Sequence, residues 1–136
     1  MRKQNNYIST NRSKHYLTCH LIFVCKYRKS LLVGQLNTDM IATLQSSADK
    51  TDFEIEIMET DKDHVHFLIR YIPRLSISSM VRKLKQESTF AIWQKHKMIL
   101  SKNFWAEKTF WSDGYFVCSI GEASPDTVAE YIRSQG

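Results

Sequence analysis

The sequence has little in it to hinge or interrupt a fold: four glycines and two prolines in 136 residues. That scarcity excludes a low-complexity linker, a collagen-like repeat or a long flexible spacer. Residues 1–136 are therefore expected to form a single domain, in keeping with the usual ~100–200 residues per domain. Cysteine is sparse and odd in number, and Cys19, Cys25 and Cys118 form neither a C-x-x-C pair nor a disulfide framework. Reduced thiols in a cytoplasmic protein are expected. The longest apolar run, residues 21–25, falls far short of the ~20 residues that cross a bilayer. The polar N-terminus shows no signal-peptide core, so no membrane partner is expected. A Gly-rich loop of the G-x-x-x-x-G-K type is also missing, which removes the usual cradle for a nucleotide triphosphate.

Acids are missing from the first 38 residues, where Arg2, Lys3, Arg12, Lys14, Lys26, Arg28 and Lys29 stand unopposed at +7. Between Asp39 and Asp63 the balance reverses to −6, and from His64 onward it returns to +4, for a net charge of +5. Two basic segments thus flank an acidic one. Such runs serve either as solvated faces or as contacts to a polyanion, with the acidic segment lying elsewhere or beside a cation. With 43% hydrophobic and 12% aromatic residues, a chain of this size buries roughly two-thirds of its unfolded surface and needs no staple.

The apolar pattern predicts the elements. Residues 16–27 are rich in β-branched and aromatic types around Leu21-Ile22-Phe23-Val24, which reads as a strand buried on both faces. Met40, Ile41, Leu44 and Ala48 follow helical spacing. Phe53, Ile55 and Ile57 alternate with Glu54 and Glu56 as in a half-buried strand, and residues 61–63 make a turn. In the next strand, residues 64–71, Val65, Phe67, Ile69 and Tyr71 form a core set, with His64, His66, Leu68 and Arg70 on the other face. Ser76 is a candidate N-cap for a helix with Ile77, Val81, Leu84, Ser88 and Ala91 along one side. Residues 96–113 carry no clear period. Gly114 punctuates, residues 115–120 read as a last strand, and Ser124-Pro125-Asp126 starts a final helix. The order β-α-β-β-α-β plus a helix predicts an α+β protein of ferredoxin-like, split βαβ type with an antiparallel sheet.

Chemistry concentrates at two places. His64 and His66, two apart on a strand, place their imidazoles side by side, an arrangement open to a structural role, to zinc or to another divalent ion. No third Cys or His stands at a familiar zinc spacing. Tyr131 and Gln135, one turn apart, share a face of the last helix; a packing role is the alternative for the tyrosine. Gln135 lies next to the final position, Gly136, where a helix turn is expected to fray.

The sequence resembles the HUH single-tyrosine transposases of the insertion sequence 200/605 family. The resemblance runs over residues 14–135 and rests on Cys19-His20-Leu21-Ile22-Phe23-Val24-Cys25-Lys26-Tyr27-Arg28-Lys29, Asp63-His64-Val65-His66-Phe67-Leu68, the Ser-Ile and Leu-Lys elements of residues 76–85, Trp111, Gly114-Tyr115-Phe116-Val117, and Tyr131-Ile132 with Gln135. It implies a ferredoxin-like fold whose C-terminal helix carries the nucleophile, Tyr131. It also implies that His64 and His66 ligate a divalent cation and that Gln135 helps complete its shell. Imidazole and amide-oxygen donors suit Mg2+ or Mn2+, with Mg2+ expected in the cell. The implied reaction cleaves and rejoins single-stranded DNA at the ends of an insertion sequence through a 5′-phosphotyrosine. The implied partners are subterminal DNA hairpins and a second copy of the chain, a homodimer in which active sites can be shared between subunits. Lys26, Arg28, Lys29, Arg82, Lys83 and Lys85 are candidate phosphate contacts. Two other classes stay open on the residues alone: a nucleic-acid-binding module without chemistry, and a metal-dependent hydrolase of small phosphate esters.

Overall fold

The computed structural model describes residues 9–10, 13–14, 17–119 and 125–135. The elements are β1 (Ser9–Thr10) and β2 (Ser13–Lys14), β3 (Leu17–Val24), α1 (Gly34–Asp49), β4 (Glu54–Asp61), β5 (His64–Tyr71), α2 (Ile77–Lys95), α3 (Lys97–Asn103), β6 (Phe116–Ser119) and α4 (Pro125–Ser134). β1 and β2 pair with each other in a two-stranded sheet. The main sheet has the order β4-β5-β3-β6, and every neighbouring pair is antiparallel. This is the ferredoxin-like arrangement, in which the first and third strands of the βαββαβ unit lie side by side at the centre.

Strand β3 owes its position to its composition. Leu21, Ile22, Phe23 and Val24 are all fully buried, which only a strand covered on both faces can achieve. Its odd-numbered side chains join Val65, Phe67 and Ile69 of β5 in the main core beneath α1 and α2. Helix α1 contributes Leu36, Met40, Leu44 and Ala48, and α2 contributes Met80, Val81, Leu84, Ile92 and Trp93. Ser76 caps α2 as expected, its hydroxyl accepting from the Ser79 N–H at 3.1 Å. The buried face of α2 drifts onto Ile92, leaving Ala91 half-buried.

Three local readings need correction. The first long strand stops at Val24 and not at Tyr27, because residues 26–28 form a 3-10 turn in which Tyr27 and Arg28 hold φ of +59° and +54°. Ile57 does not face the core. The β4–β5 register shifts between Ile55 and Ile57, and this bulge turns Ile57 outward at 47% exposure while Met58 packs against the core in its place. The segment without a clear period contains α3 and then residues 104–115, which run back along the sheet. There Trp111 bridges to Cys25 and donates its indole N–H to buried Ser88 at 3.0 Å. The Ser124 cap and the Ile120 end of the last strand lie outside the described residues.

Residues 112–114 are fixed by Lys85. Its ammonium donates to the carbonyls of Ser112, Asp113 and Gly114 at 2.7, 3.2 and 2.7 Å and lies 5.2 Å from the centre of the Phe23 ring. Three donors meet three acceptors, so an isosteric apolar side chain leaves three carbonyls without them. Burial pulls the Lys85 pKa down to about 8.

Two outcomes follow from this packing. Lys85→Met should cost about 1–3 kcal/mol in urea unfolding, while Lys83→Met, which removes only an α2 surface pair with Glu87, should cost under about 1 kcal/mol. Asp39 of α1 accepts from His96, between α2 and α3, at 2.7 Å, and this contact, with Gln35, holds its carboxyl below the usual carboxylate value. A lowered folded pKa means that its contribution is complete above about pH 4 and is lost on acidification. Asp39→Asn should therefore lower Tm near neutral pH and converge with the parent as the pH falls below that value.

Candidate active site

The sheet face away from α1 and α2 carries the even-numbered residues of β3. Registers across the strands line up three rows on it: Cys118, His20 and Leu68; Phe116, Ile22, His66 and Glu59; Val24, His64 and Asp61. Ile22 and Val24 are fully buried there, although they lie outside the main core cluster. The two histidines of β5 therefore sit beside an apolar floor at the centre of the sheet. Glu59 and Asp61 of the acidic segment stand opposite them on β4. The acidic run of the sequence thus comes next to the histidine pair.

Each histidine has a partner at one ring nitrogen. His64 Nδ1 lies 2.9 Å from Asp63 Oδ1, and His66 Nε2 lies 2.8 Å from Nδ1 of His20. Burial, reinforced by nearby His20 and against the pull of Glu59, holds the His66 pKa below its ordinary value, so this imidazole is neutral at pH 7. Neutral imidazole is the form that binds a metal.

Helix α4 brings Tyr131 to the same face. Its ring packs on Phe116, with centroids 5.6 Å apart, and Phe116 shares a row with His66 across the single residue Ile22. Two strand spacings put those backbones roughly 10 Å apart. The tyrosine hydroxyl is buried and has no hydrogen-bond partner among the described residues, and burial pushes its pKa above the ordinary value. Gly114, held by Lys85, lies beneath it: a Cβ at this position would stand 3.9 Å from the Tyr131 hydroxyl. A buried polar group without a partner is costly, so a polar ligand reaching this hydroxyl would be favoured. Gln135 lies in the turn after α4, and its Nε2 donates to Ser134 Oγ at 3.1 Å.

The candidate basic residues divide by location. Arg28 is 3.8 Å from Asp63 Oδ2 and donates to the Arg133 carbonyl of α4 at 3.4 Å, so it links the histidine turn to the tyrosine helix. Lys26 reaches Asp113 at 3.4 Å, and Lys29 lies over the Phe104 ring. Arg82 is exposed on α2, Lys83 pairs with Glu87 and Lys85 holds the carbonyls described above. The α2 group belongs to the helical layer, behind the sheet from the histidines. A separate cleft of about 690 Å³ lies between α2 and residues 108–113, lined by Phe90, Trp93, Lys97 and Lys108 among others. It opens on that helical side too. His20, Asp63 and Phe116 stand in the motifs quoted above without a role assigned to them. His20 has the parity of Ile22 and Val24, but only the β3–β5 register reveals that it meets His66.

His64 and His66 are the described residues that could hold a divalent cation, as an open centre with few protein ligands. Among the described residues no group of three or more His, Cys, Asp and Glu is arranged to hold a metal ion. Two imidazoles, each tied at one nitrogen, leave coordination positions for water and a phosphate oxygen. Among the described residues, no helix is long and apolar enough to cross a membrane.

Comparison with known proteins agrees with this architecture. The family model "Transposase IS200 like" matches residues 13–135. The ISDra2 transposase TnpA of Deinococcus radiodurans is 28% identical over 135 residues, covering 99% of this chain and 91% of that one. The transposase for insertion sequence element IS200 of Salmonella typhimurium is 26% identical over 116 residues, covering 85% and 74%. Among solved structures, one described as a transposase from Deinococcus radiodurans superposes with a TM-score of 0.81 at 26% identity, covering 89% and 92%. A REP-associated tyrosine transposase bound to a REP hairpin shares the fold at 16% identity, with a TM-score of 0.57 and coverage of 93% and 64%. Matched over nearly its whole length by the family model, the chain belongs to the IS200-like transposases.

Proposed function

We propose that this transposase cleaves and rejoins single-stranded DNA at the ends of an insertion sequence through a 5′-phosphotyrosine on Tyr131. The observation that carries the reading is the unpartnered, buried Tyr131 hydroxyl on the same sheet face as the His64/His66 pair. A phenol with its pKa raised by burial is a weak nucleophile, and a phosphodiester repels an anion. His64 and His66 would hold a divalent cation, Mg2+ or Mn2+, which when bound would supply neutralisation of phosphate charge and orientation of phosphorus. Gln135 is the candidate for a further oxygen donor and would have to turn from Ser134 to serve.

In the reaction the Tyr131 oxygen bonds to phosphorus and the P–O3′ bond breaks. The phenolic proton is given up and the departing 3′ oxygen ends as a hydroxyl. A 3′-hydroxyl then attacks the phosphotyrosine and restores a phosphodiester. One ester is exchanged for another, so no nucleotide cofactor is required, in keeping with a sequence that has no phosphate-binding Gly-rich loop. The neutral phenol is inert until a strand and cation occupy the face, which limits hydrolysis and stray cleavage.

The partner we propose is a subterminal DNA hairpin; a REP-associated tyrosine transposase of the same fold is bound to a REP hairpin. Arg28, Lys26 and Lys29 lie at the β3 end of the site, and exposed Trp105 and Tyr27 offer faces on which unpaired bases can stack. Salt should weaken this binding steeply, as it does wherever phosphates are neutralised. In a homodimer the tyrosine helix can serve its own chain or its neighbour's. Recovery of cleavage on mixing His64→Ala with Tyr131→Phe chains would establish the second arrangement, and no recovery would favour the first.

With Mg2+ and single-stranded DNA carrying the element's subterminal repeats, the protein should form an adduct that survives denaturing electrophoresis. Tyr131→Phe should reduce it to background, and an undiminished adduct in that variant would refute the nucleophile. Removal of the cation with EDTA should abolish cleavage while leaving hairpin binding within a few-fold of its original strength. Cleavage that persists without divalent ions would remove the cation from the reading.

A further inference from the structure

His20 is a third imidazole at this face, and the chemistry above gives it no task. It stands opposite Leu68 and diagonally across from His66. Its Nδ1 is 2.8 Å from His66 Nε2, with the ring planes 16° apart and the centroids separated by 5.0 Å. That combination describes two rings joined end to end. Centroids of rings meeting edge-on are separated by the N···N contact plus a ring radius at each end, whereas rings stacked face to face would not bring two nitrogens so much closer than their centres. The contact therefore lies along the in-plane lone-pair direction of one nitrogen and the N–H of the other. Two nitrogens aimed at each other do not converge on one cation, so the pair is a hydrogen bond and not two ligands of a shared ion.

One proton occupies this contact, and its two placements differ in consequence. If His20 donates, His66 accepts through Nε2 and its Nδ1 carries the remaining proton, leaving no lone pair for a cation. If His66 donates from Nε2, its Nδ1 lone pair remains available. His64 shows the same design. Asp63, an acceptor when ionised, lies 2.9 Å from His64 Nδ1, so that nitrogen carries the proton and Nε2 keeps its lone pair. Each histidine of the pair is thus tied at one nitrogen by a neighbour that fixes ring and tautomer together, the support that metal-binding histidines characteristically receive.

We propose that His20 is a positioning residue: it accepts the Nε2 proton of His66 and holds that imidazole in the tautomer and orientation that present Nδ1 to a divalent cation. This rests on the metal-assisted reading above, and the two can be tested apart.

The full-length chain, 15N-labelled at histidine and free of metal, should show His66 with a protonated Nε2 and an unprotonated Nδ1. His20→Ala should mix the two tautomers and weaken Mn2+ binding, read by the loss of the free-ion paramagnetic resonance signal, by roughly 10–100-fold. His20→Gln, whose amide oxygen can accept the same proton, should restore most of that affinity and one tautomer, and it serves equally if the alanine variant fails to fold. The proposal is overturned by an unprotonated Nε2 on His66 in the parent protein, by a folded His20→Ala variant with parent-like Mn2+ affinity, or by a folded His20→Gln variant with a mixed tautomer or with Mn2+ affinity weakened by the roughly 10–100-fold expected of His20→Ala. If the parent itself binds no Mn2+, the metal-assisted reading fails and the positioning role falls with it, even where the tautomer is as stated.

Discussion

Strand β3 is paired along both edges and buried on both faces, and every group that can act is placed by that fact. Its odd-numbered side chains enter the core under α1 and α2, and its even-numbered ones form the floor of the site. Strand periodicity admits no intermediate arrangement. A one-residue slip between β3 and β5 would turn His64 and His66 into the helical core and bring Val65 and Phe67 to the surface. The cost of burying those imidazoles and exposing those apolar groups fixes the register. Packing of Leu21, Phe23 and Phe67 therefore sets the chemistry of the opposite face as firmly as any contact within it.

From that floor the remaining parts assemble through a small number of directed contacts. Lys85 holds residues 112–114 through three carbonyls. This positions Gly114 beneath the Tyr131 hydroxyl and leads into β6, whose Phe116 supports the tyrosine ring. At the other end of the face, Arg28 connects Asp63, the partner of His64, to the last turn of α4. Arg28 and Tyr27 adopt left-handed backbone conformations that bulky residues seldom take. The turn they form sends the chain from β3 toward Leu31 and Leu32 and leaves the Arg28 guanidinium beside the site. Lys85 and Arg28, both candidate phosphate contacts in the sequence, thus differ in kind: one braces the backbone of residues 112–114, and the other links the histidine turn to the tyrosine helix.

Local pattern made much of this legible. Alternation in residues 64–71 separates a core set from a histidine set, and the continuous run Leu21-Ile22-Phe23-Val24 marks the central strand. Ser76 shows the start of α2. What sequence could not supply is nonlocal. The bulge that turns Ile57 outward depends on the pairing of β4 with β5. The contact of His20 with His66 requires the β3–β5 register, since the two are 46 positions apart. Lys85 reads as one more surface charge on α2 until the chain returns 27 residues later and offers carbonyls. Tyr131 and Gln135 obey helical spacing, yet the helix ends at Ser134 and the glutamine turns to its neighbour.

The central claim is that one sheet face joins a histidine pair to a nucleophilic tyrosine, and the most direct test is the identity of the residue that becomes attached to DNA. Protease digestion and mass spectrometry of the product formed with Mg2+ and single-stranded element-end DNA should find a 5′-nucleotidyl group on one peptide, at Tyr131. It should be lost in His64→Ala. Cleaved DNA with a free 5′-phosphate and no modified peptide at any time point, or attachment at another residue, would contradict the account.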